Sequence, residues 1–177
     1  GTLPAVAYIS PSGASEHPPG SLASGQRSVQ TMINALQRSS AWPTSAFLLT
    51  YDDWGGWFDH VPPRQVDKDG YGFRVPMLVI SPFAKRGFID SDVMDHTSIL
   101  KLIATNWRLP PLTPREANAS DMLSAFSFPT VNVMGMRSSA VGSLGSVVVP
   151  TRDAPPFAGG TLVALARDDR SARPTSS

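Results

Sequence analysis

A six-residue apolar run at 46–51 constrains the fold of this chain of 177 residues more than any other feature. Its sequence, AFLLTY, shows no alternation of apolar and polar residues, which is typical of a strand covered on both faces. Such a strand needs other elements above and below it, because both of its apolar faces must be buried. The run therefore predicts a layered α/β domain, and it leads directly into two adjacent carboxylates, Asp52 and Asp53.

Periodicity and turn signals place the other elements around this strand. Val29, Met32, Ile33 and Leu36 recur at helical spacing and form one apolar face. Prolines and capping residues then mark where helices begin and end. The sequence predicts further strands at 5–9 and 75–80 and helices at 21–38, 97–107 and 115–126, the second capped by Asp95 or Thr97 and the third by Thr113.

Composition sets limits on domain organisation and on partners. The chain is 41% hydrophobic and 16% charged, as expected for a globular domain, and its formal net charge of +1 gives no support to nucleic-acid binding. It has no cysteine and hence no disulfide or thiolate site. We expect one domain over residues 1–128. Residues 129–177, rich in Ser, Gly, Pro and Ala, are interpreted as a mobile tail or linker.

The segment TYDDWGGWFDHV at 50–61 carries the strongest chemical signal. Adjacent carboxylates repel each other, and a divalent cation would offset that repulsion at the end of a buried strand. Gly55 and Gly56 allow a sharp turn that could bring Asp59 and His60 back towards the same place. The alternative is an ordinary solvated turn, since turns favour these same residue types. The two tryptophans beside the glycines favour a pocket.

The three histidines, His17, His60 and His96, all fall in loops next to predicted strand or helix ends. Histidine can bind a metal, transfer a proton or donate hydrogen bonds to phosphate. Each taken alone could equally be a capping or packing residue. Arg74 lies just before the third strand, which would place it at the opposite end of that strand from the carboxylates, so we interpret it as half of a structural ion pair.

Five stretches occur in an order that resembles a known family: EHPP, TYDDWGGWFDHVPP, GFRVPMLVISPFAKRG, DHTSILKLI and PLTPREANASDMLSAFSF. Over residues 3–128 they are similar to the second half of the bacterial phosphoesterase family, which includes phospholipases C and a class of acid phosphatases within the alkaline phosphatase superfamily. The resemblance implies a three-layer α/β/α, alkaline phosphatase-like hydrolase of which only the C-terminal half is present.

The resemblance also implies roles for individual residues. Asp52 and Asp53 match the family's carboxylate pair and would bind a divalent metal ion. His17 matches the histidine of the HP loop, His60 that of the GGxxDH turn and His96 that of DHTS, which makes them the expected catalytic residues. The substrate would be a phosphate ester or a phospholipid. An extracytoplasmic or secreted location is expected, with membrane contact through the substrate or an anchor.

Three departures from the family pattern leave an alternative open. The N-terminal half, with its ENRSFDH-type motif and hydroxyl nucleophile, does not occur in this sequence. Ser10 stands where many members carry Asp, and the link from Pro63 to Tyr71 is short. We therefore expect a part of a longer enzyme, and the alternative is a catalytically incomplete remnant or a non-enzymatic binding module.

Overall fold

The computed structural model describes residues 3–10, 16, 19–128 and the backbone of 162–167. Within these ranges the chain contains both helices and strands, so the expected α/β class is confirmed. In chain order the elements are β1 (Val6–Ile9), α1 (Leu22–Gln37), β2 (Ala46–Tyr51), β3 (Met77–Ile80), α2 (His96–Trp107), α3 (Pro114–Asn118) and β4 (Leu162–Arg167), with 3₁₀ turns at Trp42–Thr44 and Leu123–Ala125.

The four strands form one sheet in the order β1-β4-β2-β3. β4 runs parallel to both β1 and β2, whereas β3 runs antiparallel to β2. β4 lies within the segment that the sequence analysis interpreted as a tail, and its six residues instead form an interior strand. The rest of 129–177, with the proposed domain boundary, lies outside the described residues.

The predicted burial of β2 on both faces is confirmed. Ala46 and Leu48 are fully buried in a cluster with Ile99 and Leu102 of α2. Because side chains alternate along a strand, Phe47 and Leu49 point the other way, where they pack against Val29 and Leu36 of α1. The two helices therefore cover opposite faces of this strand.

The first two predicted helices are confirmed, and each matches its expected bounds to within one residue. α2 is capped by Asp95, whose carboxylate accepts a hydrogen bond of 2.6 Å from the Thr97 amide. No described helix has the length and apolar character needed to cross a membrane.

The third predicted helix, 115–126, is wrong in length. α3 starts as predicted, with Thr113 as its cap and Pro114 at its first position, but it ends at Asn118. Ala119 is extended and Met122 has a positive φ of 61°, so the backbone leaves the helical region before a 3₁₀ turn completes the segment.

The link between β2 and β3 is held against α3 by an ion pair. The Arg115 guanidinium donates two hydrogen bonds to the Asp67 carboxylate and a third, of 3.0 Å, to the Gly70 carbonyl. The bonds from Arg115 lower the pKa of Asp67 to about 2. This contact restrains the part of the β2–β3 link around Asp67 and Gly70.

Candidate active site

Asp52 and Asp53 directly follow the carboxyl end of β2, and both are exposed. In sheets with parallel strands this end is where ligands bind. The Asp53 carboxylate accepts a hydrogen bond of 2.6 Å from the Gly55 amide, which closes a tight local turn. The solvated-turn interpretation thus describes the backbone here correctly, and it leaves the carboxylates at the surface beside the strand end.

The turn after the carboxylates depends on its two glycines. Gly55 and Gly56 have φ values of 65° and 78°, in the left-handed region that side chains disfavour. The amide of Trp57 donates to the carbonyl of Trp54 across them, at 3.2 Å. The chain reverses here and presents its aromatic side chains to solvent, with Trp57 63% and Phe58 90% exposed.

Arg74 forms an ion pair, as the sequence predicted, and its partner is Asp59. Its Nε and one terminal nitrogen donate to the two carboxylate oxygens at 2.8 and 2.7 Å. These hydrogen bonds, with one from the Val61 amide, hold the pKa of Asp59 well below its usual range. The hydrogen bonds to Asp59 in turn raise the pKa of Arg74.

The expected position of Arg74 relative to the carboxylates was wrong. β3 is antiparallel to β2, with Met77 opposite Thr50, so the start of β3 lies beside the end of β2. Arg74 therefore lies at the same end of the β2–β3 pair as Asp52 and Asp53.

His60 follows Asp59 and is 81% exposed at its side chain. Its Nδ1 is 3.9 Å from the Asp59 carboxylate, beyond hydrogen-bonding distance. The ring is thus accessible to solvent at the end of the turn. The ion pair fixes the residue before it and leaves the imidazole itself accessible.

His96 contacts the residue that precedes the carboxylate pair. It is the first residue of α2, and its Nε2 is 2.7 Å from the carbonyl oxygen of Tyr51, the residue before Asp52. The structure therefore brings His96 to the end of β2, and its expected catalytic role stays a prediction.

The same strand end is linked to the loop after β1. The Tyr51 hydroxyl donates a hydrogen bond of 2.7 Å to Glu16, a buried carboxylate. His17 lies outside the described residues, so its expected place beside the carboxylates stays a prediction. No role for Glu16 or Tyr51 was predicted from the sequence; their signal was their position as the first residues of the EHPP and YDD motifs.

An open cleft of about 410 Å³ adjoins the turn. Its walls combine aromatic rings with the Asp59–Arg74 pair, and the Trp54 ring is further supported by Phe73, with ring centroids 4.7 Å apart. The lining residues are Trp54, Trp57, Phe58, Asp59, Arg74, Val75 and Pro76. An aromatic and charged lining of this kind suits a ligand that has both apolar and polar parts.

The described residues do not form a complete metal site. Asp52 and Asp53 offer carboxylate oxygens, the ligand type that hard divalent cations prefer. Within the described ranges, however, no group of three or more His, Cys, Asp or Glu side chains is placed to hold a metal ion. The carboxylate pair can thus supply only part of a coordination shell.

Sequence comparison identifies the family. Residues 1–110 match the family model described as "Phosphoesterase family". The chain belongs to the Phosphoesterase family. The matched residues include the carboxylate pair, all three histidines and the Asp59–Arg74 ion pair.

Several curated relatives are phospholipases C. The chain is 34% identical over 163 aligned residues to "Non-hemolytic phospholipase C" of Burkholderia pseudomallei, covering 72% of this chain and 23% of the relative. It is 35% identical over 157 residues to "Phospholipase C A" of Mycobacterium tuberculosis, covering 72% of this chain and 30% of that protein. The chain thus spans less than a third of either relative.

Proposed function

We propose that the protein to which this chain belongs hydrolyses phosphate esters, in the manner of a phospholipase C or an acid phosphatase. The observation that carries the proposal is the position of Asp52 and Asp53 at the carboxyl end of β2 in a Phosphoesterase family member. The names of the relatives support a phospholipid substrate. The chain would supply one part of the active site.

In this proposal Asp52 and Asp53 are two ligands of a divalent metal ion, and further ligands and the nucleophile come from outside the described residues. A bound cation would supply Lewis-acid activation of the phosphoryl group. The adjacent carboxylates support this role, since their mutual repulsion makes them a favourable place for a cation.

His17 and His60 are proposed to contact the substrate. An exposed imidazole can donate a hydrogen bond to a phosphate oxygen or a proton to the leaving group. For His60 the support is the exposure of its ring at the end of the turn formed by residues 54–60, called the aromatic turn below. For His17 the support is its neighbour Glu16, which is bonded to Tyr51 at the strand end.

The cleft beside the turn is proposed to receive the part of the substrate next to the phosphate. Trp54, Trp57 and Phe58 would contact apolar atoms, and the polar edge formed by Asp59 and Arg74 would face the ester group. A phosphomonoester with a small aromatic leaving group and a phospholipid both have this combination of apolar and polar parts. The cleft alone therefore does not separate the two activities.

We further propose the three-layer, alkaline phosphatase-like architecture for the whole protein. Its support is the packing of α1 and α2 on opposite faces of β2. A phospholipid substrate would also favour an extracytoplasmic location with membrane contact through the substrate. The net charge of +1 gives no reason to expect nucleic acid as a partner.

The proposal is tested with the protein expressed at its full natural length. A chromogenic phosphomonoester and vesicles of a phospholipid are offered separately, before and after chelation, and with each of several divalent metals restored. We expect hydrolysis of at least one substrate, loss on chelation and recovery with metal. No turnover of either substrate under any metal condition would reject the proposal and favour the alternative of a remnant or a binding module.

A further inference from the structure

The contact between His96 and Tyr51 joins the start of a helix to the end of a strand. His96 Nε2 lies 2.7 Å from the Tyr51 carbonyl oxygen. A carbonyl oxygen can only accept a hydrogen bond, so this nitrogen carries the proton and donates. The bond thus fixes the tautomer of the His96 ring and engages one of its two nitrogens.

The histidine is held rigidly on its own helix. Asp95 caps α2 through its carboxylate, and the Asp95 amide donates to the Ser98 hydroxyl at 3.1 Å, which completes a reciprocal capping box. Ile99 and Leu102 of the same helix are buried against β2. Neither the helix start nor the strand can therefore move without disturbing the packing between them.

The acceptor lies at the point where the candidate ligands leave the strand. The β2–β3 ladder ends at the pair Thr50 and Met77, one residue before Tyr51. The Tyr51 hydroxyl is bonded to Glu16, and its carbonyl is bonded to His96. Tyr51 also pairs with Arg167 of β4, so three separate segments hold the residue whose peptide bond leads into Asp52.

We propose that His96 is a positioning residue, not a proton-transfer group: its Nε2–H fixes the Tyr51 carbonyl and thereby sets the direction in which Asp52 and Asp53 leave β2. The inference rests on the proposed function for the importance of those carboxylates. The contact itself is independent of that function. A small displacement of reacting or binding groups can reduce turnover about 100-fold, so we expect loss of this bond to lower activity.

The test compares His96→Gln with His96→Leu in the full-length protein. The glutamine amide can place an N–H near the position of Nε2, but it cannot exchange a proton near neutral pH. We expect His96→Leu to lower kcat/KM by about 10- to 100-fold and to weaken metal binding, since both depend on the carboxylates. His96→Gln should recover most of both quantities, with the limbs of the pH–rate profile unchanged.

Two results would overturn the positioning role. Equal loss in both variants, with one limb of the pH–rate profile missing, would show that His96 transfers a proton. Wild-type activity and metal binding in His96→Leu would show that the bond is dispensable. Thermal melting of both variants checks that neither result comes from unfolding.

Amide hydrogen exchange at residues 51–55 separates this inference from the proposed function. Exchange there should rise about five- to tenfold in His96→Leu and stay near wild type in His96→Gln, whether or not the protein hydrolyses phosphate esters. If the wild-type protein shows no hydrolysis but exchange follows this pattern, the proposed function fails and the positioning contact stands. Identical exchange in all three proteins would reject the contact itself.

Discussion

The Arg74 guanidinium and the Asp59 carboxylate form a bidentate ion pair that connects the segment before β3 to the turn after β2. Asp59 is only 12% exposed at its side chain, whereas Arg74 is 60% exposed. The pair therefore closes one side of the aromatic turn while its arginine stays in contact with solvent. In the described structure it restrains residues 54–60 together with the Asp53–Gly55 hydrogen bond and the Trp54–Phe73 ring contact.

Arg74→Gln should loosen this turn without unfolding the chain, because the arginine is largely exposed and the core lies elsewhere. The indole N–H signals of Trp54 and Trp57 should shift or broaden in a ¹H–¹⁵N spectrum, while those of Trp42 and Trp107 stay in place. Arg64→Gln removes another exposed arginine from the same link and is the matched control. Unchanged indole signals in Arg74→Gln would contradict the restraint.

The contribution of this ion pair to stability depends on pH because the pKa of Asp59 is lowered. The largest cause of that lowering is the hydrogen bonding from Arg74. A carboxyl whose folded-state pKa is lowered stabilises the fold above its unfolded pKa, about 3.9 for Asp, and loses that contribution as pH falls through the folded value. The stability difference between wild type and Arg74→Gln should therefore be full at neutral pH and shrink below about pH 4. Urea unfolding at several pH values measures it, and a difference that grows on acidification would contradict the assignment.

Leu48→Ala should be strongly destabilising, because Leu48 is fully buried between β2 and α2. Loss of its side chain should reduce the free energy of unfolding by about 2–5 kcal/mol. Leu78→Ala, on the adjacent strand but 55% exposed, is the control and should cost less than about 1 kcal/mol. Similar losses in the two variants would show that the β2–α2 interface is not a core.

Gly56→Ala tests the backbone of the aromatic turn. A Cβ at Gly56 would meet no atom within 4 Å, so the only cost is the φ of 78°, roughly 1–2 kcal/mol for an L-residue. Gly72 has equal space around it and no positive φ, and Gly72→Ala should change stability by less than about 0.5 kcal/mol. Equal unfolding free energies in the two variants would mean that the turn does not require the left-handed conformation.

Local sequence features predicted the elements that local physics controls. The unbroken apolar run of β2 indicated burial on both faces, and α1 and α2 now cover those faces. Asp95 was a predicted cap because its carboxylate can satisfy a free amide at a helix start, and it does so at Thr97. An ion pair at Arg74 was also predicted, but its partner, Asp59, was identified only by the structure.

Long-range arrangement could not be predicted in the same way. The apolar pattern of 75–80 contains no information on strand direction. The antiparallel pairing of β3 was therefore found only in the structure, and so was the position of Arg74 near the carboxyl end of β2. β4 is a short apolar piece in a segment of low-complexity composition, and its pairing with two distant strands leaves no local signal. The bond from Tyr51 to Glu16 spans 35 residues and was missed for the same reason.

Asp53→Asn in the full-length protein tests the proposal that Asp52 and Asp53 are metal ligands of a phosphate-ester hydrolase. Metal content per protein and turnover of a chromogenic phosphate ester are measured together, with Asp92→Asn as the control for removing an exposed carboxylate. We expect loss of bound metal and a fall in turnover of at least about 100-fold in Asp53→Asn, with both quantities unchanged in Asp92→Asn. Wild-type metal content and turnover in Asp53→Asn would contradict it.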